Sequence, residues 1–323
     1  MSAVTAEDVL SSAAARWRRI DPLLPDPHPA VDTGCGVELT VPAADGRAAA
    51  VGWCRHLEIA PDAEELAWGA PAQFWLTARV AGDPEEPGIG AALDELLVRW
   101  RAHLGSQQAT AGEDSQAAIR WPSRDVAGAR ALLRHGLQPL TVIAVRSAGR
   151  AVPDQAPAPD GVRIRQAGPD DVAAVTALTM EVIRYDQHFG SVQLHPHAER
   201  AERHAAEDTL ALSEPWTWLA ERDGQAIGLL VAQPPERARW IAAVTSQDPV
   251  AYLATMAVRP DERGSGVGSA LVAELHRRLD AAGVAVTLLH HGQLNPLSAP
   301  FWNRMGYRPL WTSWEIRPAR ALR

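Results

Sequence analysis

The glycine-rich segment that follows residue 258 has the residue types and spacing of an anion-binding site. An apolar run, Ala251 to Val258, leads into a turn that contains Gly264, Gly266 and Gly268, and a helical pattern begins directly after it. Backbone N–H groups at a helix start lack intrahelical partners, and the helix dipole favours negative charge there. With the fixed charge of Arg263 beside these donors, the segment predicts a phosphate-binding site.

The overall composition argues against several classes of partner and site. The chain has 323 residues and a formal net charge of −8, which argues against nucleic acid or an anionic membrane as a general partner. Cys35 and Cys54 are too few for a disulfide framework, and neither they nor the histidines show metal-ligand spacing, so we predict no metal site. The N-terminus lacks a signal-peptide pattern and no run approaches a membrane span, so we expect a cytoplasmic protein.

Length and one proline-rich segment predict two domains. Residues 147–161 are polar, contain three prolines and show neither helical nor alternating periodicity, as expected of a linker. Two domains of about 150 residues each are the natural expectation for a chain of this length. We place the boundary inside the linker and expect domains at 1–150 and 151–323.

Periodicity in the second half predicts the element order β-α-β-β-β-α-β-α-β, an α+β layer sandwich. Asp223-Gly224 is the strongest hairpin signal in the chain. The predicted strands are 162–165, 216–221, 226–233, 251–258, 284–290 and 311–316. The predicted helices run from 169 to 180, from the glycine turn to about 282, and from 298 to 305.

A self-comparison relates the two halves. Residues 125–140 align without a gap with residues 295–310, so that Gly136 meets Gly306. Upstream, the strand at 74–80 and the glycines that follow it fall on their second-half counterparts with equal spacing. The chain is therefore a tandem duplication.

At this point the second half resembles the GNAT acyltransferase superfamily. The pyrophosphate motif of that family, Q/R-x-x-G-x-G/A, is matched by Arg263, Gly266 and Gly268. A second family signature, N-x-x-A-x-x-x-Y-x-x-x-G-F, is matched loosely by Asn295, Ser298, Trp302, Gly306 and Tyr307. The resemblance covers residues 162–317 and implies two tandem GNAT-type αβα sandwich domains with mixed, mostly antiparallel sheets, the N-terminal copy being degenerate.

The resemblance also implies acetyl-CoA as a co-substrate. In this fold two strands splay apart and a β-bulge leaves backbone groups that can pair with the pantetheine arm. An N–H near Met256 would stabilise the oxyanion that forms when an amine attacks the thioester. The residues expected to bind the coenzyme are Met256, Ala257, Val258, Arg263, Gly264, Ser265, Gly266, Val267, Gly268, Ser269, Asn295 and Trp302.

The first half lacks the same anion site. Glu85-Glu86-Pro87 stands where the second half has Arg263-Gly264-Ser265. Two carboxylates would repel a diphosphate, and proline removes one N–H donor. We expect only the second half to bind acyl-CoA and the first half to have a structural or substrate-shaping role.

Acyl transfer to an amine requires a proton acceptor and a group that protonates the leaving thiolate. Many family members have a tyrosine at the position of Trp302, and an indole has no acidic proton to give, so we expect Trp302 to be a packing wall. The candidate catalytic residues are His290, Tyr252, Tyr307 and Glu181. The polar segment after the first helix supplies candidate acceptor-binding residues, namely Tyr185, Asp186 and His188, and Glu181, Asp186 and His188 are also candidate bases.

The favoured function is an N-acetyltransferase that moves an acetyl group from acetyl-CoA to a primary amine of a small molecule by direct attack. Three alternatives stay open: a peptide N-terminal acetyltransferase, a thioester hydrolase, and an acyl-CoA sensor or interaction protein without transfer activity. The absence of a tyrosine at position 302 is the main support for the sensor. The two halves could pack as an internal pseudo-dimer, and both a monomer and a homodimer are compatible with the sequence.

Overall fold

The computed structural model describes residues 6–26, 36–42, 48–61, 63–82, 88–106, 112–150 and 157–323. Cys35, Glu85, Glu86 and Pro87, as well as part of the predicted linker, lie outside these ranges. Eight α-helices and eleven strands are found within them. None of the helices in these ranges combines the length and the apolar character that crossing a membrane requires.

The strands are β1 (Val37–Pro42), β2 (Ala48–Glu58), β3 (Ala72–Val80), β4 (Ser115–Pro122), β5 (Gln138–Ser147), β6 (Arg163–Gln166), β7 (Thr217–Arg222), β8 (Gln225–Gln233), β9 (Val250–Val258), β10 (Val286–Gly292) and β11 (Arg308–Ile316). The α-helices are α1 (Ala6–Ile20), α2 (Gly88–Gly105), α3 (Val126–Arg134), α4 (Val172–Asp186), α5 (Ala198–Leu210), α6 (Arg239–Ala242), α7 (Val267–Ala281) and α8 (Ser298–Arg304). Short 3₁₀ turns occur at Glu64–Trp68, Pro169–Asp171, Gln187–Phe189, Pro260–Glu262 and Ala319–Ala321.

All eleven strands form one continuous sheet with the order β1-β2-β3-β4-β11-β5-β10-β9-β8-β7-β6. The last strand of each half has crossed into the other half. Strand β5 pairs with β10, and β11 pairs with β4, in both cases antiparallel. The two exchanged strands also pair with each other at the centre of the sheet. The halves are therefore joined by three rows of strand pairing.

The pairing register preserves the internal repeat. Ile119 lies opposite Trp314, and Leu289 lies opposite Ala144. Adding 170 to the numbers of one half turns the first pair into the second, which is the offset of the repeat in the sequence. The central pair of Val142 and Thr312 is its own counterpart under this shift. The sheet thus has an approximate twofold axis between β5 and β11.

Helices cover both faces of the sheet. Residues alternate along each strand, so Val51 and Trp53 of β2 pack on α1, whereas Ala50 and Cys54 pack under α2. In the second half, Leu219 and Leu229 contact α4 and α5, and their neighbours contact α7 and α8. We call the side that carries α1, α4, α5 and α6 the α1 face, and the opposite side the α2 face. The predicted αβα layers are therefore confirmed.

Most predicted elements of the second half are found within one to three residues of their predicted bounds. Both residues of the predicted hairpin turn have positive φ, 51° at Asp223 and 75° at Gly224. Three features differ from the prediction. Helix α4 continues to Asp186, the segment after it contains the additional helix α5, and the short helix α6 precedes β9.

The central strands predict a strong dependence of both halves on β5. Ile143 of β5 is 0% exposed and lies between β10 and β11. Replacing Ile143 by Ala should lower the free energy of unfolding by about 2–5 kcal/mol, because the cavity would lie in the core shared by both halves. Urea unfolding followed by tryptophan fluorescence and by circular dichroism measures this change.

The control is Val126→Ala, at a position that is 80% exposed on α3, where a change of about 0.5 kcal/mol or less is expected. A cost below about 1 kcal/mol for Ile143→Ala would contradict a shared central core.

Candidate active site

Strands β9 and β10 separate in the middle of the sheet. Their parallel pairing ends at Leu253 and Leu289, although β9 continues to Val258 and β10 to Gly292. At the same point β9 is bulged against β8, since the register passes from Leu253 to Thr255 and leaves Ala254 without an opposite residue. The predicted splay and bulge are both present. Backbone groups of β9 beyond Leu253 therefore face an opening instead of a neighbouring strand.

The glycine turn lies at the end of this opening. Gly264 and Gly266 have φ values of 81° and 94°, a region that residues with a side chain adopt only under strain. Gly266 is the N-cap of α7, and Ala270 N–H to Gly266 O, at 3.0 Å, is the first backbone bond of the helix. The N–H groups of residues 267–269 precede that bond and form a cradle of donors at the positive end of the helix.

Close packing keeps the cradle against the sheet. A Cβ atom on Gly268 would lie 3.4 Å from the Phe301 ring of α8 and 3.5 Å from Val258 of β9. Ser265 Oγ donates to the carbonyl of Glu262 at 2.7 Å and fixes the preceding turn. The anion-binding geometry predicted from the glycines is therefore present in the fold.

Arg263 connects the turn to helix α4. Its Nε donates to the carbonyl of Val258 at 3.2 Å, and its guanidinium lies 4.7 Å from the centre of the Tyr185 ring. Ala257 of the same strand packs against α4, while Met256 and Val258 face the core beneath α7 and α8. Through Arg263, the predicted acceptor residue Tyr185 is thus connected to the end of β9 that carries the predicted coenzyme residues.

Asp186 and Asn295 form a second link across the same opening. Asn295 Nδ2 donates to Asp186 Oδ1 at 2.7 Å, and Asn295 Oδ1 accepts from the N–H groups of Leu297 and Ser298 at 2.9 and 3.3 Å. Burial raises the pKa of Asp186, while the bond from Asn295 and the charge of Arg263 act in the opposite direction. Because its side chain is engaged by protein groups on both ends, Asn295 holds α4 against the start of α8. Its predicted contact with coenzyme stays a prediction.

Tyr252 and His290 meet where the splay opens. The Tyr252 hydroxyl lies 2.9 Å from His290 Nδ1. The ring of Trp240, from α6, lies nearly parallel to the His290 ring at 6.4 Å and edge-on to Tyr252 at 4.9 Å. His290 is the first residue of β10 after the pairing with β9 ends. Two residues that are 38 positions apart in sequence therefore form one hydrogen-bonded pair.

The environment sets the protonation of this pair. Burial raises the pKa of the Tyr252 hydroxyl, so it keeps its proton at neutral pH. Burial, followed by the positive charges of Arg120 and His291, lowers the pKa of His290 to about 3. The imidazole is therefore neutral and able to accept a proton. The pair combines a protonated phenol with a neutral imidazole, which is a donor beside an acceptor.

Tyr307 and Trp302 lie elsewhere. Tyr307 is 1% exposed, sits in the core of the α2 face, and its hydroxyl lies 3.2 Å from His276 Nε2. Trp302 packs edge-on against Tyr307 and Phe301, with ring centres 5.4 and 4.9 Å away. The structure does not bring Tyr307 to the Tyr252–His290 pair, because the sheet separates them. The predicted catalytic role of Tyr307 therefore has no support in its position. Trp302 packs in the same core.

Two further predicted residues lie on the α1 face. Glu181 is on α4, one turn before Tyr185, and its Oε2 is buried without a hydrogen-bond partner. His188 belongs to the 3₁₀ turn after α4 and is exposed. Glu181 thus has an unused acceptor atom in the interior, whereas His188 faces solvent.

An open groove of about 1040 Å³ lies at the far edge of the sheet and is lined in part by Arg165 and Arg278. Arg165 is bound by Asp171 and Glu221 at 2.7–3.0 Å, and Arg278 lies over the Trp218 ring at 5.3 Å. Both cations have partners within the protein. We assign no function to this groove.

The bulged strand, the splayed neighbour and the N–H cradle at the start of the next helix are the features that distinguish this fold. The Acetyltransferase (GNAT) family model matches residues 180–307, which include the splay, the cradle and the Tyr252–His290 pair. The second half of the chain therefore resembles the GNAT acetyltransferase family.

Individual relatives extend this comparison. The mycothiol acetyltransferase of Streptomyces avermitilis is 28% identical over 155 residues, which is 46% of this chain and 44% of that enzyme. Less than half of that enzyme is therefore matched. A GCN5-related N-acetyltransferase from Sphaerobacter thermophilus is 17% identical, with a TM-score of 0.57 over 98% of this chain and 95% of that one. A GNAT acetyltransferase from Colwellia psychrerythraea is 10% identical, with a TM-score of 0.51 over 98% of both chains. The likeness of fold thus covers both halves.

Sequence reasoning missed Trp240 and Arg120 beside His290. Trp240 lies in a segment without clear periodicity, so nothing local marked it as part of a site. For Arg120 a signal existed, because the offset of the repeat places it at the position equivalent to His290. Using that signal required the knowledge that both positions face the same side of one sheet.

The buried histidines predict a pH dependence of stability. Burial lowers the pKa of His276 to about 3, whereas an unfolded histidine titrates near 6.5. The unfolded state binds the extra proton, so the free energy of unfolding should fall as pH drops from about 6.5 towards 3, by about 1.4 kcal/mol per pH unit for each such group. Urea unfolding at a series of pH values measures the slope.

His276→Gln should reduce that slope by about one proton. The matched control is His204→Gln, at a side chain that is 75% exposed on α5, which should leave the slope unchanged. Equal slopes in all three proteins would show that His276 titrates normally in the folded state.

Proposed function

We propose that the protein is an acetyl-CoA-dependent N-acetyltransferase that acetylates a primary amine of a small molecule. The observation that carries the proposal is the separation of β9 from β10, with the Tyr252–His290 pair where it begins and the N–H cradle in the turn after β9. The family match supports the acetyl donor. The likeness to a GCN5-related N-acetyltransferase supports the fold. An amine acceptor is compatible with that fold, and its identity is left to experiment.

The residues present fit two parts of acetyl-CoA, its diphosphate and its pantetheine arm. The cradle at residues 267–269 offers unpaired N–H groups and the nearby charge of Arg263 to a diphosphate. Strand β9 beyond the bulge offers backbone groups to the amides of the pantetheine arm. The bound coenzyme supplies the activated acetyl thioester. The chain supplies its orientation and the proton transfers.

Tyr252 and His290 divide the proton transfers between them. His290, which is neutral, accepts the proton that the amine loses as its nitrogen bonds to the acetyl carbon. Tyr252, which is protonated, gives its proton to the sulfur as the carbon–sulfur bond breaks. The hydrogen bond between them then returns the proton from His290 Nδ1 to the phenolate oxygen. Because the amine proton enters at His290 Nε2 and the returned proton leaves from Nδ1, His290 is again neutral but as its other tautomer, and proton exchange with solvent restores the first one.

The acceptor amine approaches from the α1 face. Glu181 has a buried carboxylate oxygen without a partner, which suits a positively charged amine before it loses its proton. Tyr185 and Asp186 hold the wall between this face and the cradle. In this proposal residues 151–323 form the catalytic domain, and residues 1–150 complete its sheet with β5 and contribute to the acceptor side.

A sensor without transfer activity is the second candidate function, favoured by the buried tryptophan at position 302. Incubation with acetyl-CoA and a panel of amines, with free thiol as the readout, separates the possibilities. Amine-dependent thiol release supports transfer, amine-independent release supports hydrolysis, and tight binding without release supports the sensor.

The acid–base pair gives a direct test of the mechanism. His290→Gln and Tyr252→Phe should each lower kcat by about 10²–10⁴-fold, because each removes one of the two proton transfers. The dissociation constant for acetyl-CoA should stay the same, since neither side chain belongs to the cradle. The control His204→Gln should keep wild-type kcat. Retention of kcat within threefold in both pair variants would remove this pair from the mechanism.

The anion cradle predicts one coenzyme site per chain. Calorimetry with acetyl-CoA should give a stoichiometry of one, because the sequence of the first half lacks the turn. Arg263→Glu should weaken binding by about tenfold or more, since it replaces an attractive charge with a repulsive one. Arg130→Glu, at an exposed position on α3, should leave the affinity unchanged. Two equivalent sites, or equal affinity in both variants, would contradict the assignment.

A further inference from the structure

Arg120 occupies the position in the first half that His290 occupies in the second. It lies on β4, opposite Ser313 of β11, which in turn lies opposite Thr141 of β5. His290 lies opposite Ile143 of the same strand, two residues from Thr141. Residues two apart on a strand, and residues opposite each other on neighbouring strands, point to the same face. Arg120 and His290 therefore both project from the α1 face.

The two side chains are coupled through their charges and are not shown in direct contact. Their strands are three steps apart in the sheet, about 14 Å between backbones, which is more than either side chain spans alone. After burial, the positive charge of Arg120 is the next largest cause of the lowered pKa of His290. Arg120 thus lies on the same face of the sheet as the acid–base pair, close enough for its charge to act on His290.

Arg120 has no counter-ion in the described part of the chain. Its Nε is buried without a hydrogen-bond partner, and none of the described carboxylates lies within ion-pair distance of it. Burial lowers the pKa of the guanidinium. Arg16 and Arg146 also have a buried Nε without a partner, but each has a carboxylate for its charge, Asp125 for Arg16 and Asp280 at 3.2 Å for Arg146. A buried arginine without a partner is unfavourable for folding, which points to a ligand that completes it.

We infer that Arg120 binds an anionic group, a carboxylate or a phosphate, on the acceptor whose amine is placed at His290. The inference rests on the proposed transferase function. The planar guanidinium suits either anion through two parallel hydrogen bonds. The acceptor is then an acidic amine that spans the central strands, with its anion held by the first half and its amine by the second. The equivalent positions of the duplicated fold serve recognition in one copy and proton transfer in the other.

The test compares matched acceptors. One pair is an α-amino acid and its carboxamide, and the other is a phosphorylated amino sugar and its unphosphorylated parent. Wild-type protein should prefer the charged member of one pair by about ten- to a hundredfold in kcat/KM. Arg120→Gln should abolish that preference, mainly through KM, and Arg120→Lys should restore part of it because it keeps the charge without the planar fork. The pair that shows the effect identifies the anion.

Two measurements distinguish a recognition role from a structural one. Because Arg120 has no partner, Arg120→Gln should leave Tm unchanged or raise it, whereas a structural residue would lower Tm when replaced. The pKa of His290, followed by NMR, should rise in Arg120→Gln, since a nearby positive charge is removed. The matched control Arg130→Gln, at an exposed position of the same half, should alter neither quantity nor the acceptor preference.

The possible failures are distinguishable. If the protein acetylates amines but Arg120→Gln lowers kcat/KM equally for charged and uncharged acceptors, this inference is overturned and the proposed transferase function stands. Calorimetry of the same acceptors without acetyl-CoA covers the opposite case. If no amine is acetylated but the acidic ones bind in an Arg120-dependent manner, the proposed function fails and the anion site stands. Absence of both effects overturns both.

Discussion

The antiparallel pairing of β5 with β11 is the interaction on which the rest of the structure depends. Each of these strands begins in one half of the chain and completes the sheet of the other half. Their mutual pairing places the approximate twofold axis at the centre of a single sheet, so the two copies share one core. Trp17 of α1 packs on Trp311 of β11 across this centre, with ring centres 5.1 Å apart. The sheet of the second half is therefore completed by a strand of the first half.

This shared centre also explains how one duplicated scaffold supports different chemistry in its two halves. Strand pairing fixes where a side chain leaves the sheet and leaves its identity free. At equivalent positions the second half carries a histidine bonded to Tyr252, and the first half carries an arginine whose buried Nε has no hydrogen-bond partner among the described residues. The pairing of β8 with β9 is interrupted by a bulge at Ala254, whereas the pairing of β2 with β3 is regular. The symmetric strand pairing thus fixes the positions of the side chains, and the candidate active site results from residues and a bulge that differ between the two halves.

The sequence predicted much of the second half because its signals are local. Alternation defined the strands, and Gly264 to Gly268 defined the start of α7. Helix α5 was missed because its buried stripe is narrow, with Ala198, Glu202, Ala206 and Leu210 among charged residues. The predicted role of Tyr307 had no support in the fold because the signature gives position along the chain and not the face of the sheet.

By itself, the sequence determined the duplication, the order of the strands and helices of the second half, and the glycine turn that leaves N–H groups unpaired. These follow from periodicity and backbone sterics over short segments. Only the tertiary structure decided which strand lies beside β10, because β5 and β11 are copies of one pattern and either fits that place locally. The exchange then decided which distant side chains meet. It brought Arg120 to the face that carries Tyr252 and His290, a juxtaposition set by long-range strand pairing that no single segment encodes.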